Sequence, residues 1–533
     1  MKPETLGLIR AYWLGTVLCM AGFLFGYDSG IVGGVLTLSS FENDYDYGTA
    51  QKTRVSSLSV ALQQLGAFVA CFLAWPMTDK LGRRKSLMIC SAVFCLGAII
   101  QTINTHSLPA FYIARVIAGL GLGAASVIVP MYISEMIPPE IRGKIGSFFQ
   151  WMYTFGIFTS YWCDYGVEKA YSGNVTRQWQ IPIGLQLVPA ALLGLGMFTI
   201  PESTRWLMKK DRETESWQSL EWMRGGNTDA AHEEYGEISE AIRWENRETE
   251  NFQLKELLER DNFSRIAMAA IVFMAQQATG ATAFAVYGPQ YFKLLIGDNT
   301  EKDLLLTAIF GAVKVLACGF FIFFVAERFA RKTLFVGGAV FMAACQLTTA
   351  AVVKNIEPPG DGTITSAGIA TVALIYMFVI AYNLSWGPLP WPYVSELFST
   401  RIRDPGVATG VASQWLFNFI FSLTTPYMIA NMGWGTFLLW GLFDILIAIC
   451  SLLFLKETRG KSLEQIANAE HAFQPSRDHK VVDDPALAIP SEPARPQRVD
   501  EWTKGWDEDS VAVEERPAVD PLDDAQRPTA AET

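Results

Sequence analysis

Asp28, Arg115, Lys314 and Asp444 are charged side chains inside long apolar runs. One such charge at the centre of a membrane helix costs about 2.5–3.5 kcal/mol, so these residues are expected to face an internal cavity and to pair. An acid and a guanidinium in that setting form either a fixed brace between two helices or a proton switch. In the switch, ionised Asp28 is held by Arg115, and protonation from outside neutralises the acid and loosens the tie. The switch is the favoured reading, because ionisable residues inside membranes are mostly functional. Asp444 reads as a satisfied residue near a bundle interior, since no motif covers it. Lys314 has two readings of equal weight: it braces a neighbouring carbonyl or carboxylate, or it attracts an anionic substrate.

The elements that must position these groups are apolar runs of membrane-crossing length. Of 533 residues, 50% are hydrophobic, with 34 Phe and 16 Trp. A run of about 20 apolar residues crosses a bilayer as helix. Twelve such spans are predicted, near 12–36, 57–78, 86–104, 108–134, 145–166, 181–200, 263–293, 303–326, 333–353, 367–394, 405–428 and 434–455. The domain plan is then an N-terminal stretch 1–11, a six-helix bundle 12–200, a polar linker 201–262, a second bundle 263–456 and a tail 457–533. The linker is helix-compatible around 212–224 and 230–248, and Gly-Pro steps at 387–390 predict a bent, mobile tenth helix. The Pro-, Asp- and Glu-rich tail from about 470 reads as disordered.

Basic residues cluster in the connections after even-numbered spans, among them Lys80, Arg83, Arg84, Lys85, Arg142, Arg331 and Arg403. That excess places both termini and the linker in the cytoplasm. The sequon Asn174-Val-Thr176 then falls outside, whereas Asn262-Phe-Ser264, which also matches, would face the cytoplasm. The first apolar run has no small-residue cleavage site after it and reads as a retained helix. Eight Cys lie in or beside apolar runs without paired spacing and read as free buried thiols. The net charge of −11 and the scattered basic clusters argue against nucleic acid as a partner. The four His residues (106, 232, 471 and 479) form no ligand spacing, so neither an intramembrane enzyme nor a metal or other cofactor is expected.

The chain also repeats itself. Tyr132-Ile-Ser-Glu135 followed by Ile141-Arg142 returns, at one constant offset, as Tyr393-Val-Ser-Glu396 followed by Ile402-Arg403. Asp79-Lys-Leu-Gly-Arg83 returns as Glu327-Arg-Phe-Ala-Arg331. Two parallel halves of six spans are the sign of an internally repeated transporter. Seven motifs occur in order: GFLFGYDSGIVGG (22–34), DKLGRRKSL (79–87), RVIAGLGLGAASVIVPMYISE (115–135), PESTRWL (201–207), QQATG (276–280), WGPLPWPYVSELF (386–398) and KETRGKSLEQI (456–466). Over about 10–465 the chain resembles the sugar porter family of the major facilitator superfamily, of the fungal, proton-coupled kind. The resemblance implies an all-α membrane protein with twelve transmembrane helices in two six-helix halves and a cytoplasmic helical linker.

The resemblance also implies a site. Gln150, Gln276, Gln277, Gly387 and Trp391 match the family's sugar-binding positions; amides both donate to and accept from hydroxyls, and an aromatic face suits the C–H side of a ring. Interhelical packing would use the same residue types. Three positions depart: Thr282 stands where Asn is common, Val315 beside Lys314 replaces the eighth-span Asn, and Gln414 replaces the Asn before Trp415 and Asn418. These departures make a sugar acid or a cyclic polyol carboxylate such as quinate an alternative to a plain hexose. Asp28 matches the proton-coupled members, which carry Asp at this place. Arg83, Arg84, Glu135, Arg142, Glu202, Arg205, Arg331, Glu396, Arg403 and Glu457 match a cytoplasmic latch of basic turns bonded to helix-end acids. Simple positive-inside anchoring would use the same basic residues. Ala330 replaces the usual Gly of the second turn, so its bend is expected to differ. The expectation is a plasma-membrane, alternating-access symporter that imports a monosaccharide with a proton and functions as a monomer in the lipid bilayer. The alternatives are import of galacturonate or quinate, and a sugar sensor that does not transport.

Overall fold

The computed structural model describes residues 3–171, 175–249, 254–297, 299–326, 328–355, 365–398, 402–455 and 457. Asn174 and the tail beyond Glu457 lie outside the described residues, as do the side chains of Glu396 and Arg403. Described regular structure is all helical, and each half supplies six spans. Spans 1–5 are Pro3–Val35, Thr49–Leu81, Arg83–Thr102, Leu108–Met136 and Pro139–Ala170. Span 6 comprises Arg177–Leu185 and Leu187–Gly196, closing in a 3-10 turn, Met197–Thr199. Span 7 comprises Arg260–Ala278 and Ala281–Ile296, and span 8 is Thr300–Phe320 continued by a π-helical turn, Phe321–Val325. Span 9 is Arg331–Asn355, span 10 Ser366–Asn383 with Pro390–Glu396, span 11 Arg403–Met432 and span 12 Gly435–Phe454.

Ten spans are long and apolar enough to cross a bilayer on composition alone. The other two, spans 5 and 11, are 32 and 30 residues long but less apolar. Their polar residues, including Gln150, Gln414 and Asn418, face a central cavity, so an inward polar face lowers their average hydropathy. The outer faces are the reverse: Leu316 is 74% exposed and Leu453 67%, as a lipid-facing surface requires.

Within the first half, span 1 packs on span 5, and span 4 on spans 2 and 3; in the second, span 9 packs on spans 10 and 12, and span 7 on span 11. The halves meet along two seams, span 2 on span 11 and span 5 on span 8. Shifting by six spans converts one seam into the other, which is the two-fold relation expected of parallel repeats. The linker forms helices Thr204–Lys209, Glu213–Arg224 and Asp229–Thr249 and a 3-10 turn, Leu254–Leu258. All eight Cys are free; Cys95, Cys163 and Cys450 are half-buried where burial was expected.

Spans 7 and 10 are broken. Gly280 adopts φ +79°, a left-handed conformation that favours glycine, and any Cβ there would strike the Trp440 ring. Span 10 unwinds between Asn383 and Pro390, where Pro388 and Pro390 cannot continue a helix. Unpaired backbone is tolerated at membrane depth only where something else satisfies it. Here the buried Gln276 side chain does so, donating to the carbonyls of Trp386 (2.9 Å) and Gly387 (3.1 Å). Each break therefore borders the cavity.

Candidate transport site

The acid–guanidinium pair is present and deeply buried. Arg115 Nη1 lies 2.9 Å from Asp28 Oδ1, joining span 4 to span 1, and the two residues are 2% and 3% exposed. Arg115 also donates to the Ser59 carbonyl (2.8 Å) and to Gln101 Oε1 (3.4 Å), while Gln63 Nε2 donates to Asp28 Oδ2. A buried pair is tolerable only with its remaining hydrogen bonds met, and these three partners meet them. The next residue, Gln64, accepts from Asn418 Nδ2 of the opposite half (3.4 Å), and Asn418 lines the cavity. One Gln–Gln step on span 2 thus links the ion pair to the cavity wall.

That cavity lies between the halves and gathers Gln150, Gln276, Gln277, Thr282, Lys314, Gly387, Trp391, Gln414 and Asn418. The same wall includes Tyr153, Tyr382 and Asn383, which were not singled out in the sequence. Tyr153 lies one helical turn from Gln150, a spacing that puts both on one face. Tyr382-Asn383 ends the helix just before the unwound stretch, so its proximity to that break was the available signal. Trp391 packs edge-on against Phe273 at 5.3 Å.

The amides are not equally free. Gln276 is committed to the span-10 backbone and accepts from Gln414 Nε2 (3.4 Å). Gln277 Oε1 and Gln414 Oε1, in contrast, are buried acceptors without a partner among the described residues. Unmet acceptors facing a cavity suit a ligand that brings hydroxyl donors. Each such bond contributes about 0.5–1.5 kcal/mol, so Gln277→Ala should raise the transport KM by about 2- to 10-fold with protein abundance unchanged. A concentration series of substrate uptake, normalised to surface protein, checks it; an unchanged KM removes Gln277 from the site.

Lys314 enters from span 8 and is 3% exposed. Its Nζ lies 5.4 Å from the Tyr153 ring centre and 6.0 Å from that of Tyr382, contacts worth about 0.5–2 kcal/mol to a cation. Among the described residues it forms no ion pair, and no hydrogen bond fixes it as a brace. Asp444 differs from expectation too: it is buried, yet neither carboxyl oxygen has a hydrogen-bond partner among the described residues. It lies on span 12, which packs on span 9, away from the cavity.

At the basic end, Arg83 donates to Glu135 through Nη2 (2.7 Å) and Nε (3.1 Å), and Ser203 Oγ donates to the other Glu135 oxygen. The Glu202 carboxylate accepts from the backbone N–H of Arg83 (2.8 Å) and Arg84 (3.1 Å), capping span 3. The second half repeats this: Glu457 accepts from the N–H of Arg331 (3.1 Å) and Lys332 (3.0 Å), capping span 9. Gly82 makes the first turn at φ +84°, whereas Ala330 has no positive φ, so the bends differ as its side chain requires. Three arginines do not follow the expected acid partners. Arg84 donates to Met197 O (2.8 Å) and Arg142 to Ile137 O (3.1 Å), because carbonyls at helix ends lack intrahelical donors. Arg205 joins no hydrogen bond or ion pair among the described residues and lies near Arg142.

At the opposite end the halves are sealed. Ser57 Oγ donates to Leu423 O (2.6 Å) and Gln290 Nε2 to Ser56 Oγ (2.9 Å), both across the halves, while Tyr287 OH donates to Ser422 O (2.7 Å) within the second half, tying span 7 to span 11. Tyr161 OH donates to Ala285 O, and Gly33 presses so closely on the Val286 carbonyl that no side chain would fit. A cavity walled by both halves and closed at one end is the geometry of alternating access.

A family model for sugar (and other) transporters matches residues 14–469. The chain belongs to that family. It is a multi-pass membrane transporter of the sugar porter family, within the major facilitator superfamily. It is 32% identical to a probable quinate permease of Neosartorya fischeri, covering 86% of each chain, and 31% identical to the quinate permease of Emericella nidulans, covering 86% of this chain and 88% of that one. Among solved structures, the proton:xylose symporter XylE bound to 6-bromo-6-deoxy-D-glucose matches with TM-score 0.71 and 27% identity, covering 87% of this chain and 99% of XylE. XylE from E. coli in a partially occluded inward-open conformation also matches with TM-score 0.71, at 25% identity, covering 85% and 99%.

Proposed function

We propose that this chain is a plasma-membrane symporter that imports a small polyhydroxylated ring carboxylate, of the quinate type, together with a proton. The observation that carries this reading is Lys314: an ammonium in the cavity wall that no carboxylate among the described residues pairs with. A buried cation without a counter-charge is costly unless a ligand supplies one. A carboxylate at Lys314, with ring hydroxyls on Gln277 Oε1 and Gln414 Oε1, answers all three needs at once. The quinate permeases among its relatives support the same substrate class.

The proton enters through Asp28. With the acid ionised, Arg115 ties span 1 to span 4. Protonation neutralises the acid, and the Gln63–Gln64 step passes the loosening on to Asn418 in the other half. Proton and substrate loading then favour the same rearrangement of the two halves around a fixed site. Breaking the seal at one end and forming it at the other moves both ligands across. The excess of basic residues in the turns supports a cytoplasmic linker and cytoplasmic termini.

A monosaccharide is the second reading, supported by the likeness to XylE, a proton:xylose symporter. Uptake of labelled quinate, galacturonate, glucose and xylose into transporter-deficient cells at external pH 5 and 7 separates the two. Accumulation of the acids, greater at pH 5, is expected; accumulation of a neutral sugar alone rejects the carboxylate reading. A sensor that does not transport is tested by deleting the residues after 470. Removing a terminal segment should leave uptake intact, whereas a chain that signals through its tail and moves nothing shows no uptake before or after deletion.

A further inference from the structure

Asp164, on span 5, is 0% exposed, and neither of its carboxyl oxygens has a hydrogen-bond partner among the described residues. It escapes notice in the sequence because it falls near the end of an apolar run, among polar neighbours. Its carboxyl presses directly on Gly34 of span 1, where no side chain could be fitted. Gly33, the preceding residue, abuts the Val286 carbonyl of the other half. One turn inward on span 5, Tyr161 bonds across to Ala285. The acid is therefore embedded in the outer seal.

Among the described residues, its surroundings supply no counter-charge. The titratable groups beside it are Tyr27 on span 1 and Tyr161 and Cys163 on its own helix. Glu168, one turn further out, accepts from Gln178 of span 6, and Arg177 at the start of that span is exposed. On span 8, Glu301 pairs with Lys169 and Lys314 faces Tyr153 and Tyr382. Among the described residues, none forms an ion pair with Asp164. A carboxylate stripped of water and left without partners costs far more than the neutral acid. Parting the seal would return water to the site and make the carboxylate the favoured form.

We propose that Asp164 is a second proton-binding site, built into the outer seal and distinct from the Asp28–Arg115 pair. In the outward-open form it is an ionised carboxylate; it takes one proton from the external solution, and only the resulting acid fits the closed seal. Protonation thus favours closure, and deprotonation favours opening. This inference rests on the alternating-access reading but not on the identity of the substrate.

The test reads the seal directly, without substrate. Ser57 is buried at the seal, and in a Ser57→Cys background its thiol reacts with a membrane-impermeant maleimide only when the outer side opens. Labelling of the full chain in cells, with the native thiols' reaction subtracted and each rate divided by that of a freely exposed thiol at the same pH to remove thiolate ionisation, is followed as external pH is stepped from about 5 to about 8. One linked proton makes the rate rise by up to tenfold per pH unit within the titration range. Asp164→Asn, which mimics the neutral acid, should hold labelling low and flat; Asp164→Ser should flatten it as well. A slope left at the parent's value by both Asp164 substitutions, or its absence in the Ser57→Cys parent, overturns the proposal. Because no substrate is added, failure here is separate from failure of the uptake panel.

Discussion

Asp28→Asn should abolish accumulation against a gradient while leaving exchange of internal for external substrate in place. Asn reproduces the neutral, proton-loaded acid, so the substituted protein cycles between loaded forms only. Exchange needs no more than those forms. Net uptake needs the unloaded protein to return, and that requires the ionised acid tied to Arg115, now 2.9 Å away. Removing one partner of a buried pair ordinarily strands the other at about 3–5 kcal/mol. Here Arg115 keeps the Ser59 carbonyl and Gln101 Oε1 as acceptors, and Asn can still accept through its own oxygen. Surface abundance is therefore expected to hold, and it must be measured beside transport. The decisive quantity is the steady-state ratio of internal to external substrate at pH 5, expected to stay at or below one. Accumulation equal to wild type would remove Asp28 from proton coupling.

Much of this organisation is legible in the chain because the bilayer is a demanding solvent. It forces helices of a set length, so spans 1 to 12 follow from apolar runs, and spans 5 and 11 follow although their cavity faces dilute the signal. The repeated Tyr-x-Ser-Glu segments mark equivalent helix ends, and Glu202 and Glu457 do cap equivalent turns. The charged pair was visible for the same reason: Asp28 and Arg115 have no business in hydrocarbon unless they meet. Their neighbours were not. Gln63, Ser59 and Gln101 come from spans 2 and 3, and nothing local to those spans marks a side chain as turned toward Arg115. The division of labour among the amides was hidden too. That Gln276 serves an unwound backbone while Gln277 keeps an open acceptor depends on the path of span 10, which a run of Pro and Gly announces without tracing. Asp444 marks the limit in the other direction, a charge in an apolar run whose expected partner is absent among the described residues.

Lys314→Gln should remove carboxylate transport and spare any neutral sugar. Hydrogen bonds to a charged group contribute about 1.5–3 kcal/mol, so the loss in kcat/KM for the acid should be about 10- to 150-fold. Gln keeps a donor of similar reach in the same wall, so the cavity's shape and its polarity are largely preserved and only the charge is withdrawn. The surroundings sharpen the effect. The ammonium looks onto the rings of Tyr153 and Tyr382, which stabilise a cation without neutralising it, so a ligand carboxylate would supply the only full negative charge at that wall. For a neutral sugar the same substitution withdraws an unmatched buried charge, and its uptake should stay level or rise. The measurement is paired: quinate and xylose uptake by wild type and variant, at equal surface abundance and external pH 5. A fall for quinate alone assigns Lys314 as the reader of the carboxylate. Equal losses for both substrates would make the lysine a structural brace of spans 5, 8 and 10, and the substrate class would then have to come from the hydroxyl acceptors alone.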